Sequence, residues 1–477
     1  MDELTIKKIC DKGMTDAEYL KEVGQTKKAL ELWTMVPDFM ERFMSAPEAT
    51  LAEYGIYVDA LSVKILADHE TAIKYKDTPE EELPRAVRRY RAFLAEKVND
   101  KNHMIFETCV PSNPAARGWR MRQMNRCWAE LGSRNGSIIH TPTTFELTLG
   151  CSVGCPFCGV AAKKLQKVFR YTEENRELWR GVLSFMKEII GSAAGSGTCY
   201  YASEPLDNPD YEKFIEDYFE VFNVVPQITT AASMRNPQRT KKILVDFHAK
   251  YPRVHRFSVL SLDILRKIYE NFSPEELVCV ELLPQFVEAP ACRFAPAGRA
   301  RTFERKDKIV DDSGTIACIS GFIVNMAEQS VRLITPCIAS EECPTGEQII
   351  AKEYFFDLED FKRVITKLIA KFMTENFSKD YPLYLRKNLT YEVTETGIQF
   401  YRQKIFRLTF SGNDDLPKED YHCILELLKR GGCSAYDIAE KLLDENNIQP
   451  ANTFFILRKF EKAGLFLEPY ELAEKTV

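Results

Sequence analysis

No apolar run in this 477-residue chain is long enough to cross a bilayer. Its opening segment, MDELTIKKICDKG, lacks the apolar stretch of a signal peptide. Together these absences set the expectation of a cytoplasmic protein with no membrane partner. Internal repeats and low-complexity tracts are also missing, so neither a repeat array nor a disordered linker is expected. Nor is there an excess of positive charge. The net charge is −6 and the pI about 5.8, which gives no general reason to expect a nucleic-acid partner.

What is present is ordinary globular material, 45% hydrophobic and 28% charged, in a length suited to two or three domains. Cysteine is the exception. Fourteen are many for a reducing compartment, where they read as metal ligands, catalytic thiols or buried apolar residues before disulfides.

Residues 1–140 read as helical, with apolar residues at helical spacing over 16–44, 61–75 and 84–98. Pro84 suits a first helical turn. Basic residues cluster here, at Arg85, Arg88, Arg89 and Arg91 and again at Arg117, Arg120, Arg122 and Arg126. They form either a solvated helix face or a docking surface for an acidic peptide. From residue 141 the texture changes. Strand candidates at 143–149, 198–202, 227–232, 257–262 and 277–283 alternate with helices predicted over 173–190, 211–222, 237–250 and 263–272. This order indicates βαβ units and a parallel sheet, open or closed into a partial barrel. The segment 314–337 alternates like antiparallel strands after the turn-like Asp311-Asp312-Ser313-Gly314, within a second unit that ends near 345. A connecting α/β segment fills 346–410. The tail, 411–477, reads as three helices (421–430, 435–446 and 450–463) in winged-helix order. It carries eight Lys and Arg against thirteen Asp and Glu, a balance that suits a peptide or protein partner better than phosphate.

The strongest signal is LTLGCSVGCPFCGV, with Cys151, Cys155 and Cys158 in Cys-x3-Cys-x2-Cys spacing directly after a strand. Iron–sulfur clusters normally take four cysteines, so three on one short loop leave one iron of a cubane open. Zinc would want a fourth Cys or His, and none lies close downstream, while His140 is poorly placed before the strand. The motif, with Phe157 ahead of its last cysteine, resembles that of the radical S-adenosylmethionine (SAM) superfamily. That resemblance implies an α/β fold, a partial (β/α)6 barrel, here with a helical N-terminal region and a winged-helix-like C-terminal domain. It also implies two cofactors, a [4Fe–4S] cluster and SAM, and an electron donor such as flavodoxin or ferredoxin.

Further carry-over follows the motif. Phe157 would lie against the adenine. Tyr201-Ala202-Ser203-Glu204-Pro205 resembles the superfamily's Gly-Gly-Glu-Pro segment, with Ala202 and Ser203 in place of both glycines and Glu204 receiving the SAM amino group. Thr229, Thr230, Ser258 and Ser261 stand where hydroxyls often flank the ribose. Gly298-Arg299-Ala300 resembles a SAM-contacting turn, or is a tight turn without ligand. SGFIVNMAEQSVRLITPCIAS and FMERFMSAPEATLAEYGI are similar to radical SAM peptide epimerases of the proteusin type. Those enzymes mature ribosomal peptides by converting L- to D-residues. The resemblance implies a precursor peptide with a leader as partner, and a thiol hydrogen donor beyond the cluster loop. Cys337 is the first choice, with Cys343 and Cys318 behind it. Crosslinking and methyltransferase chemistry within the same superfamily, and a zinc-stabilised peptide-binding regulator outside it, stay open. Tyr200, Tyr201 and Phe322 either line a channel or fill a core. His248 and His255 receive no role.

Overall fold

The computed structural model describes residues 16–251, 253–295, 297–303, 314–402, 406–413 and 416–473. In chain order the described strands are β1 (Thr141–Glu146), β2 (Thr148–Leu149), β3 (Lys167–Val168), β4 (Thr229–Thr230), β5 (His255–Val259), β6 (Val280–Pro284), β7 (Ile319–Asn325), β8 (Ser330–Pro336), β9 (Glu347–Tyr354), β10 (Thr390–Val393), β11 (Gly397–Arg402) and β12 (Phe406–Ser411). The fold is mixed α/β, with many helices and several small sheets and, among the described residues, no closed barrel. No described helix is long and apolar enough to cross a membrane.

β1 is buried along its whole length and pairs in parallel with β7, Thr141 opposite Ile319 and Glu146 opposite Asn325. The antiparallel β7–β8–β9 ladder matches the alternation seen over 314–337, but the parallel seam to β1 is not legible there. The turn foreseen at Asp311–Ser313 lies outside the described residues. β4, β5 and β6 form a second, parallel sheet. Between the two runs the segment around Thr198, whose carbonyl accepts from Phe145 N–H at 2.9 Å and which bridges to Gln227. A Cβ on Gly197 would stand 1.8 Å from the Thr143 carbonyl oxygen, so this segment reaches β1 only as glycine.

The strand expected over 198–202 is reduced to that one bridge. The Thr198 hydroxyl donates to the Tyr200 carbonyl at 2.6 Å, a local bond that competes with a ladder and bends the chain. The run 227–232 shortens to β4 because the Thr230 hydroxyl and the Ala231 N–H are both taken by Glu204. Residues 257–262 split between β5 and a helix that Ser261 caps, its hydroxyl accepting from Ile264 N–H at 3.2 Å.

Helices Glu173–Ile190, Tyr211–Phe222 and Pro237–Lys250 occupy their expected ranges. In the first, Thr172 caps the start, and Trp179, Val182, Leu183, Met186 and Ile190 recur on one face. That face buries against Phe145 of β1, with the Trp179 ring edge-on at 5.2 Å. The N-terminal region is helical but more broken than its periodicity suggests. Pro37 separates Asp16–Met35 from Phe39–Ser45, and Asp68 both ends one helix and caps the next. Pro84 precedes helix Arg85–His103 as its cap rather than entering its first turn.

The arginine cluster divides: Arg85 and Arg117 are exposed, as a solvated face requires, while its inner members are not on the surface. Arg89, Arg120, Arg122 and Arg126 are buried. Arg120 donates to the Ile105, Ile139 and His140 carbonyls, while Arg122 pairs with Glu468 at 2.8 Å. A fork of five N–H donors satisfies several buried acceptors at once, which a solvated charge never needs to do.

The tail holds helices Lys418–Arg430, Ala435–Asn446 and Pro450–Lys462 around one core, with Ile398 and Phe400 of β11. Its strands precede these helices. After the third, Phe466 makes a single antiparallel bridge to Leu385, and no hairpin wing follows among the described residues.

His140 adjoins the β1–β7 seam, its ring nitrogens 2.8 Å from Ser320 Oγ and 2.9 Å from Asn135 Oδ1. Burial first, then the positive Arg120 and Arg126, hold its pKa well below the usual histidine value. The unfolded chain gains a proton near pH ~6.5 and the folded one does not, so stability is lost as pH falls below that point. His140→Gln is expected to remove up to about 1.4 kcal/mol per pH unit of this acid sensitivity, read from urea unfolding at pH 5 and pH 7.5.

Candidate functional site

The cysteine loop leaves β2 at Gly150 and returns at Lys164, closed at its base by Cys151 N–H to Lys163 O at 2.9 Å and Leu165 N–H to Cys151 O at 3.1 Å. Cys151, Cys155 and Cys158 are free thiols with partial exposure. Two carry backbone donors, Val153 N–H toward Cys151 Sγ at 3.4 Å and Ala162 N–H toward Cys158 Sγ at 3.5 Å. Burial, then the neighbouring Cys158 and Cys151, push the Cys155 thiol up to about 11, with Arg299 opposing. Thiols of this kind must shed protons on binding metal.

The fit to a metal group can be judged from these donors. Among the described residues no three His, Cys, Asp or Glu side chains converge tightly enough to hold one metal ion. A cubane spreads its terminal thiolates wider than a tetrahedral zinc does. Three cysteines on one glycine-bearing loop, with N–H groups aimed at sulfur, suit the cluster better than the ion. The residues fit a three-cysteine cluster.

Three clamps hold the loop. Ser152 donates its N–H to Asp207 Oδ2 at 2.8 Å and its hydroxyl to Asp207 Oδ1, and Arg235 joins the same pair. Phe157 stacks on Phe294, ring centroids 4.3 Å apart, with Phe303 edge-on. Gly298-Arg299-Ala300 sits against the loop backbone, Arg299 N–H donating to Cys158 O at 2.9 Å. Gly298 has φ +56°, and a Cβ there would come within 2.3 Å of Gly159 O, so the approach requires glycine.

Glu204 is buried and accepts from Thr230 Oγ1 at 2.6 Å, Ala231 N–H at 2.9 Å and Leu206 N–H at 3.2 Å. Three of about four acceptor positions on a carboxylate are then used, leaving one for a ligand amine. Desolvation raises its pKa, and these three donors oppose the rise. Just before it, Ala202 N–H donates to Glu146 Oε1 at 2.7 Å and Tyr201 OH to Glu347 Oε2 at 2.6 Å, while Arg332 joins Glu146 to Glu347. This network sets the shape of the Ala202–Ser203 segment without its glycines. Thr229 meets the Tyr200 hydroxyl at 2.5 Å. Ser258 and Arg256 share the partly open face of β5, where Arg256 pairs with Glu281 of β6.

The donor candidates separate. Cys337 and Cys343 adjoin each other in the β8–β9 loop, thiol hydrogen-bonded to thiol; burial and then Cys343 push the Cys337 thiol far up. Cys337 N–H donates to Gly346 O and Gly346 N–H to Cys343 O, folding the loop back on itself. Cys318 has accessible surface, yet desolvation raises its thiol pKa, and its charge is felt by Tyr200, Tyr201 and Arg256. It therefore lies near those three side chains. Phe322 is core. His255 accepts from Ile228 N–H, and the His248 side chain lies outside the described residues. A cavity of about 700 Å3, mouth included, lies elsewhere, where Arg122 and Glu468 meet Tyr381 and Arg386.

The residues that sequence reasoning missed are Glu146, Arg332, Glu347, Arg256, Glu281 and Asp207. For Glu146 and Arg332 the signal was a charge at one alternating position inside an otherwise apolar strand, in TFELTL and SVRLIT, whereas Asp207 sits in the turn after Glu204.

No family model matches the chain. A solved structure, that of BtrN in complex with AdoMet and 2-DOIA, aligns with a TM-score of 0.31 at 11% identity over 49% of this chain and 82% of BtrN, too distant to carry an argument. A curated relative is the uncharacterized protein y4wI of Sinorhizobium fredii (strain NBRC 101917 / NGR234), 37% identical over 370 residues. The match covers 73% of this chain and 69% of the relative, and the chain belongs to the family of y4wI.

Proposed function

We propose that this protein is a radical SAM enzyme acting as a peptide epimerase, converting L- to D-residues in a ribosomal precursor. The observation that carries the first half is the cysteine loop, three free thiols on one turn, tied through Ser152 to Asp207 in the segment that follows Glu204. With SAM at its open iron, the cluster would supply a 5′-deoxyadenosyl radical able to take a Cα hydrogen. Cys151, Cys155 and Cys158 would hold that cluster, Phe157 would face the adenine, and the open acceptor position of Glu204, with the backbone of Ala202 and Ser203, would receive the SAM amino group.

The epimerase half is supported by the sequence resemblance and by thiols placed outside the cluster loop. Among these Cys318 fits donation best. It is exposed and lies near Tyr200 and Tyr201, directly ahead of Ala202–Glu204, whereas Cys337 is engaged with Cys343. A thiol there would return a hydrogen atom to the opposite face of Cα, leaving a thiyl radical that an electron from the external donor and a proton restore to the thiol.

The test is reconstituted enzyme with SAM, a one-electron donor of the flavodoxin class and a candidate precursor peptide in deuterated water. Deuterium at Cα with no other mass change is the expected result, abolished in Cys318→Ala and retained in Cys337→Ala. Retention in Cys318→Ala with loss in Cys337→Ala moves the donor. A loss of two hydrogens or the gain of a methyl group discards epimerisation and keeps the radical chemistry.

A further inference from the structure

Arg299 makes more bonds to the cysteine loop than any structural turn requires. Its Nε and one terminal nitrogen donate to the Cys155 carbonyl at 3.0 and 2.8 Å, and its other terminal nitrogen donates to Ala162 O at 2.8 Å. Its own N–H takes the Cys158 carbonyl. One residue thus spans the loop from the second cysteine to beyond the third. Gly298, packed without room for a side chain, holds it there, and Gly298 N–H is anchored in turn by Pro344 O at 2.6 Å. The guanidinium is a permanent positive charge held against the Cys155 carbonyl.

We propose that Arg299 is a positioning residue that sets the reduction potential of a cluster bound at Cys151, Cys155 and Cys158. The inference rests on the cluster reading and deepens it. Potentials of such centres follow local charge and hydrogen bonding. One-electron reduction makes the three-cysteine site more negative, and a fixed cation beside Cys155 favours the reduced form. Removing that cation makes reduction harder. The fork also holds the loop, so charge and geometry need separate variants.

Arg299→Gln keeps hydrogen bonding without charge, and Arg299→Lys keeps charge without the fork. Iron content and an EPR-monitored redox titration are compared for both with wild type, independently of turnover. The expected result is a midpoint shifted to more negative potential in Arg299→Gln, with Arg299→Lys lying between it and wild type. An unchanged midpoint in Arg299→Gln at full iron content overturns the proposal. So does loss of iron from both variants alike, since a retained charge then does no better than a neutral amide. Wild-type protein that takes up no iron instead sinks the cluster reading itself.

Discussion

Under the proposed cluster reading, Cys155→Ala protein reconstituted anaerobically with iron and sulfide is expected to retain almost none of the roughly four irons expected of wild type. Three thiolates are the smallest set that holds a cubane while leaving one iron open, and two leave half its corners to solvent. The two carboxylates beside the loop are already engaged, Asp207 by Ser152 and Arg235 and Glu204 by Thr230, Ala231 and Leu206, so neither replaces a thiolate without breaking those bonds. Cleavage of SAM should fall with the iron, by about 10³-fold or more if the metal centre supplies the chemistry, each factor of ten corresponding to about 1.4 kcal/mol of barrier. Iron analysis and the visible absorption band measure it. A variant that keeps full iron content would show that another residue is the third ligand.

The second large effect lies away from the loop. Arg126→Ala is expected to destabilise the fold by about 3–5 kcal/mol, the usual cost of breaking a buried ion pair by removing one partner. Arg126 is 2% exposed and donates to Gln123, to Glu130 at 2.6 Å, to Thr335 Oγ1 at 3.0 Å and to the Pro336 carbonyl at 2.5 Å. Its loss leaves the half-buried Glu130 carboxylate without its guanidinium and the last carbonyl of β8 with only the weak Cys127 thiol donor. Because Pro336 immediately precedes Cys337, the same variant should raise the rate at which Cys337 is alkylated under native conditions. Urea unfolding and timed iodoacetamide labelling read the two effects. Arg126→Lys, which cannot reach four acceptors with one ammonium, should recover less than half of the loss.

The cysteine motif was legible because its spacing is local: three ligands within eight residues need no fold to bring them together. Helices such as Tyr211–Phe222 were equally legible, since one apolar face and a tight stop are written in consecutive residues. What the sequence did not disclose is long-range. Thr141 faces Ile319, and Arg332 joins Glu146 to Glu347, by contacts that no periodicity records. The arginines of helix Pro114–Leu131 misled for the same reason. Arg122 looks like surface until Glu468, more than three hundred residues on, closes over it. Cys337 was preferred over Cys318 from its surroundings in the chain, whereas its contact with Cys343 and the proximity of Cys318 to Tyr200 and Tyr201 exist only in the folded chain.

That seam also has a schedule. β1 leaves the ribosome about 180 residues before its partner β7 does. At roughly 5–20 residues per second this is an interval of about 10–35 s. Throughout it the cysteine loop hangs from a strand with one vacant edge, and the turn carrying Arg299 is also still to come for most of that time. A cluster delivered then would meet thiols without their clamp. Under the proposed cluster reading, cluster insertion therefore belongs after synthesis, once β7 and the Arg299 turn have closed on the loop.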